Sequence, residues 1–198
     1  MTNPQQQIKS LFHANNGYLQ TKMVKEKGIN KYHLEKMVAE GKVERVKRGL
    51  YHLTNYVPDN ELMDMNSIVP EGIICLFSAW EHYDLSTFVS STYHIAVERS
   101  YKIVLPFYPP IQLYYWSAKI HQLGIVEYEE DGAKVRLYDI EKSVCDAIKY
   151  RRKVGIDTAM GVLKNYLKRP NRNLTKLNEY AAILRVKTIL KNYLEALL

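Results

Sequence analysis

Glycines at 17, 28, 41 and 49 each interrupt an apolar periodicity in the first quarter of the chain. No long helix can run through such a segment; it folds as short helices and a tight hairpin. Ile8, Leu11 and Phe12 share one face of a helix over residues 4–15. Thr21 is placed to cap a second helix that Gly28 ends. Asn30 is placed to cap a third, through about Glu40, with Leu34, Met37 and Val38 turned inward. Residues 42–53 then hold Val43, Val46, Leu50, Tyr51 and Leu53 around Lys47-Arg48-Gly49, the pattern of two antiparallel strands joined by a basic turn. Three helices followed by a two-stranded wing make a winged helix-turn-helix, with residues 21–27 and 30–40 as the helix pair.

A boundary is expected near 55–58, dividing a winged helix-turn-helix domain at 1–57 from a second domain at 58–198. Residues 59–68 read as a helix. Pro70-Glu71-Gly72 breaks it, and the unalternating apolar stretch 73–83 reads as another. Residues 92–97 and 111–116 alternate as strands. Residues 124–129 and 134–138 flank Glu130-Asp131-Gly132, a hairpin turn. From Asp139, placed to cap, the period returns to helical. Gly155-Ile156-Asp157 and Arg169-Pro170-Asn171 divide successive helices, and two more follow over 174–184 and 187–197. The fold class is therefore α+β: a winged helix-turn-helix, then a small sheet with C-terminal helices.

The formal charge of +7 on 198 residues is unevenly spread. Residues 1–57 carry ten Lys or Arg against four Asp or Glu, a net of +6. Residues 58–98 carry seven acids and no Lys or Arg, residues 99–139 cancel, and residues 140–198 reach +8. Two positive surfaces separated by an acidic element suit polyanionic or acidic partners. The longest apolar run, 73–77, is too short to span a membrane, and the polar start carries no export signal. Two cysteines, Cys75 and Cys145, fit a cytoplasmic protein with no structural disulfide, both packed as small apolar side chains.

Chemistry is sparse. The six histidines, at 13, 33, 52, 82, 94 and 121, form no metal-ligand spacing. Asp64, Glu71, Glu81 and Asp84 lie in an acidic stretch that reads as a solvated face. No phosphate loop or nucleophile elbow is present, so no catalytic residue, metal or cofactor is expected. Tyr114-Tyr115-Trp116 can stack bases, but alternation sends Tyr115 to the face opposite its neighbours, and packing of the other two beneath helices is favoured. Duplex DNA needs dense positive charge and a rod that fits the major groove. Lys31, Tyr32, His33 and Lys36 are the outward residues of the third helix, candidates for reading base edges. Lys22, Lys25, Lys47 and Arg48 are candidates for holding phosphates. The run Lys149-Tyr150-Arg151-Arg152-Lys153 closes a helix at its negative pole, and with Lys164 and Lys168 it also forms a candidate basic surface for an acidic partner.

An ordered set of residues resembles the AbiEi-type antitoxins of abortive-infection toxin–antitoxin systems. It comprises Gly17-Tyr18-Leu19, Gly28-Ile29-Asn30, Leu34, Gly41, Val43-Glu44-Arg45-Val46 and Arg48-Gly49-Leu50-Tyr51. It continues with Phe77-Ser78-Ala79-Trp80, Asp84-Leu85 and the junction from Tyr138 to Asp146. Lys142 stands where the family commonly has Arg, and Leu50 where it has Val. The resemblance implies an N-terminal domain that binds inverted repeats in its own promoter and represses the operon. It also implies a C-terminal domain that counters a nucleotidyltransferase-like toxin, in a family usually described as forming no stable toxin complex. Without it, the composition also allows a protein- or RNA-interaction module that uses the basic C-terminal helices.

Overall fold

The computed structural model describes residues 3–56, 61–106, 108–130 and 133–197. Two compact units result: Met1–Pro70 with Lys102–Pro109 and Tyr128–Val135, and Glu71–Tyr101 with Pro110–Glu127 and Arg136–Leu198. The first runs to Pro70, past the boundary expected at 57 and 58.

In the first unit, α1 (Pro4–His13), β1 (Tyr18–Gln20), α2 (Thr21–Glu26) and α3 (Lys31–Ala39) precede β2 (Val43–Lys47), β3 (Leu50–Leu53) and α4 (Glu61–Ile68). Helix α3 starts where its cap demands, with the Asn30 side chain accepting from the Tyr32 N–H at 2.9 Å. Thr21, expected to be a cap, is the first residue of α2 instead. Its N–H and hydroxyl both point to the Gly49 carbonyl, at 2.9 and 3.4 Å, which ties the start of the helix pair to the wing turn. Ile8, Phe12, Leu19, Val24, Leu34 and Met37 are fully buried between the helices and the sheet. Burial of each is worth about 1.5–3 kcal/mol. Strand β1, unforeseen in the sequence, extends the wing into a three-stranded sheet of order β1-β3-β2. Gly17, at φ +78°, enters that strand against the Tyr56 ring, which a Cβ at this position would overlap.

The second sheet has the order β6-β5-β4-β8-β7, from β4 (Ile73–Ile74), β5 (Tyr93–Glu98), β6 (Ile111–Trp116), β7 (Ile125–Glu130) and β8 (Ala133–Tyr138). Helices α5 (Leu76–His82), α6 (Ala118–His121), α7 (Ile140–Val154), α8 (Ile156–Leu167), α9 (Leu174–Ile183) and α10 (Lys187–Leu197) complete the chain. The stretch 73–83 is not one helix. Ile73–Ile74 is the central strand, antiparallel to β5 and parallel to β8. Both residues are buried, so the strand has no polar face and shows no alternation. Gly155 alone, at φ +96°, separates α7 from α8, because Ile156 and Asp157 already belong to α8. Of the expected hairpin turn, Asp131 and Gly132 lie outside the described residues. Trp116 is buried, Tyr114 half-buried and Tyr115 exposed, in line with the alternation. Cys75 and Cys145 are both free and fully buried.

The junction Tyr138–Asp146 anchors the second core. Asp139 caps α7 by accepting the Lys142 N–H at 2.8 Å, and it also accepts the Tyr180 hydroxyl at 2.9 Å and the Lys176 amine at 3.0 Å. Gly124, at φ +73°, sits so close to this corner that a Cβ would press on Asp139 and Lys142. Glu141 accepts the Tyr166 hydroxyl at 3.1 Å. Lys142 is fully buried. Its amine lies 2.7 and 2.9 Å from the two Asp146 oxygens and 4.1 Å from the centres of both the Trp116 and Tyr138 rings. Burial pushes the Asp146 carboxyl up against the downward pull of that amine.

His94 is set as firmly. Its backbone N–H donates to the Ser78 hydroxyl at 3.0 Å, and its ring nitrogens meet the Tyr114 hydroxyl at 2.8 Å and the Ser90 hydroxyl at 3.2 Å. Burial lowers its pKa from 6.5 to about 4. Between those two values the unfolded chain binds the proton more readily than the folded one, so this group costs stability as pH falls from 6.5 toward 4. Side-chain NMR is expected to show the His94 ring neutral at pH 5.5; a ring that titrates near 6.5 contradicts the burial.

Candidate nucleic-acid interface

The outward face of α3 is built by its inward one. Leu34 and Met37 are buried, which leaves Lys31, Tyr32, Glu35 and Lys36 exposed and His33 half-exposed. Tyr32 is 62% exposed and meets the His33 ring edge-on at 5.6 Å. The lysines are tied along the helix, Lys31 to Glu35 at 2.6 Å and Lys36 to Glu40 at 4.0 Å. The Glu35 hydrogen bond holds the Lys31 amine above its ordinary pKa, while the charge of Arg45 opposes it. Such exposed pairs are weak, so a phosphate can replace the carboxylate at little cost. On α2, Lys22 and Lys25 are exposed, and Lys22 lies 3.7 Å from Glu26.

The wing differs from its sequence reading. Arg48 is exposed at the turn, but the Lys47 amine donates to the Ile68 carbonyl at 2.6 Å and is half-buried. The ladder shifts register between Arg45 and Lys47, a bulge that re-aims the strand end. Burial also lowers the Lys47 pKa. Lys47 thus ties the wing to α4 rather than waiting at its tip. Arg45, absent from the sequence candidates, is exposed on β2 and close enough to act on Lys31. Its signal was available in the charged residues of 43–47, but a strand position near α3 shows only in three dimensions. Arg48→Ala is expected to lower the salt slope of DNA binding by about one unit. Lys47→Ala is expected to leave that slope unchanged and to lower stability instead. Salt-dependent titrations and melting curves on the two variants check both.

Helix geometry divides the basic run of α7. Lys149 is half-buried, with its pKa lowered by burial, and Arg151 donates to the Ile148 carbonyl of its own helix at 3.0 Å. Arg152 and Lys153 are exposed, as are Lys164 on α8 and Lys168 at its C-terminal cap. Other cations of this half are used internally: Arg169 donates to the Tyr83 carbonyl at 2.8 Å, and Lys176 pairs with Asp139 and Glu141. Among the described residues no three His, Cys, Asp or Glu side chains cluster to hold a metal ion, and no helix is long and apolar enough to cross a membrane.

A helix-turn-helix braced by a wing, with one cationic helix face turned to solvent, defines the class of the first unit. Residues 6–54 match the family described as transcriptional regulator, AbiEi antitoxin, the family that the sequence resembles. The match spans α1 through the wing, about a quarter of the chain, and shows what this stretch is similar to. No curated protein matches the chain.

Proposed function

We propose that the chain represses its own promoter through residues 1–57 and neutralises a nucleotidyltransferase-like toxin through residues 58–198, as a cytoplasmic protein with no catalytic role. The observation that carries the first half is the exposed α3 face of Lys31, Tyr32, His33 and Lys36, with Arg45 close to Lys31 and Arg48 exposed at the wing turn. Lys22 and Lys25 add phosphate contacts from α2. A helix presents its N-terminal outward side chains to base edges in the major groove, and a wing holds the flanking backbone. Promoter inverted repeats supply two half-sites, each the size of the short site that one such domain covers. Lys47 is withdrawn from the contact set because its amine is engaged by Ile68.

The second half rests on the exposed cations Arg152, Lys153, Lys164 and Lys168, to which Lys149 and Arg151 add their half-buried charge; the family match, confined to residues 6–54, supports it only through the word antitoxin in that family's description. This surface suits an acidic partner or a polyanion that the toxin also seeks. The test separates the two jobs in cells that carry a promoter reporter and a nucleotidyltransferase-like toxin gene. Arg152→Ala with Lys153→Ala and Lys164→Ala is expected to keep repression and lose rescue from the toxin. Retained rescue in a stably folded triple variant removes the C-terminal basic surface from the mechanism.

A further inference from the structure

The second unit contains a cleft of about 550 Å³, within the ~300–1,000 Å³ range of small-ligand clefts. Its floor is β5 and β6, where parallel register sets His94 beside Gln112, and Tyr114 lies two residues on along the same face. Phe77 of α5 and Phe88 form one wall, and Lys153 and Val154 at the end of α7 form the rim. The aromatic rings are in contact but not coplanar: Phe77 meets Phe88 edge-on at 5.3 Å and 63° and lies tilted to His94 at 5.0 Å and 51°, while His94 stacks on Tyr114 at 5.7 Å and 22°. Phe88 is 58% exposed, a large apolar ring left open to solvent at the mouth.

Three features select the ligand. Flat ring faces favour a planar heteroaromatic guest, because stacking depends on overlap and not on one hydrogen-bond pattern. Thr92 and the outward amide of Gln112 offer a donor and acceptors to the edge of such a ring. The lining contains Lys153 and no Asp or Glu, so the cleft favours a negative charge on the guest. His94 supplies no cation, since two hydroxyls hold its buried ring in place. We propose that this cleft binds a nucleoside monophosphate, its base laid on the exposed ring of Phe88 and edged by Phe77 and Tyr114, and its phosphate met by Lys153. The proposal is independent of the DNA reading, because every lining residue belongs to the second unit.

Titrating the full chain with AMP and UMP while following the His94 ring and the aromatic side chains by NMR tests it. Ribose 5-phosphate, adenosine and a single-stranded tetranucleotide serve as separate arms. Saturable shifts at His94 with either nucleotide are expected, with Phe88→Ala weakening binding about tenfold. Lys153→Ala is expected to weaken the nucleotide and leave adenosine unchanged. Ribose 5-phosphate binding as tightly as AMP would mean an anion contact without base recognition and would overturn the proposal. Binding of the tetranucleotide alone, or no shift at His94 with any arm, overturns it as well. Phe88 is exposed and the Lys153 amine lies at the surface, so both variants are expected to melt as the parent does, which keeps a loss of binding separate from a loss of fold.

Discussion

Replacing Lys31, Tyr32 and Lys36 together by alanine is expected to weaken operator binding by on the order of 100-fold or more, while binding to an unrelated duplex falls far less. Each well-placed contact to a base edge is worth about 1–3 kcal/mol, and only contacts to bases discriminate between sequences. The two lysine charges also act on phosphates, so the salt slope is expected to fall by about two units on any duplex. The fold has little stake in these residues. Tyr32 is mostly exposed, and the two lysines pair only with surface glutamates of the same helix. The melting temperature is therefore expected to stay within a few degrees of the parent. A loss of equal size on operator and unrelated DNA contradicts a reading role for α3 and leaves it an electrostatic one.

Replacing Lys142 by methionine is expected to cost about 3–5 kcal/mol of stability, because the Asp146 carboxylate then stays buried without its cation. The amine touches both carboxylate oxygens and two ring faces and has no route to water. With Lys142 gone, burial outweighs the remaining pull of Lys149 and Asp146 would favour its protonated form, so its folded pKa would lie above its unfolded one. Such a group binds the proton more tightly when folded, so stability is regained as pH falls. The loss is expected to be larger at pH 7.5 than at pH 5. A second change, Asp146→Leu in the Lys142→Met background, is expected to recover most of it, since apolar side chains can replace a buried pair without loss. Urea unfolding of the single and double variants at both pH values checks this. A single variant as stable as the parent contradicts the buried pair.

The first unit was legible because its signals are local. Ile8, Phe12, Leu34 and Met37 fall at helical spacing, and Asn30 carries its cap in its own side chain. Strand β1 was not legible, since three residues are too few to alternate. Ile73–Ile74 was misread because a strand paired on both edges and buried on both faces looks like the start of a buried helix. The candidate interface was half legible. The exposed face of α3 follows from its buried one, so Lys31, Tyr32 and Lys36 could be named from periodicity alone. Lys47 could not be placed, because its engagement depends on a bulge and on a carbonyl 21 residues away. Lys142 was the least legible. A lysine reads as surface, and its burial needs Asp146 one turn on together with rings from β6 and β8. The spacing of Lys142 and Asp146 was visible, but many surface helices carry the same i,i+4 pair.

Fluorescence anisotropy of the full chain on a labelled duplex from just upstream of its own gene tests the repressor reading most directly. The titration is run at two salt concentrations with an unrelated duplex as competitor. Tight binding that survives the competitor, weakens steeply with salt and is lost in the Lys31, Tyr32 and Lys36 triple variant is the expected result. Binding no tighter than to the competitor would contradict it and would assign the exposed cations of α3 and the wing to a partner other than operator DNA.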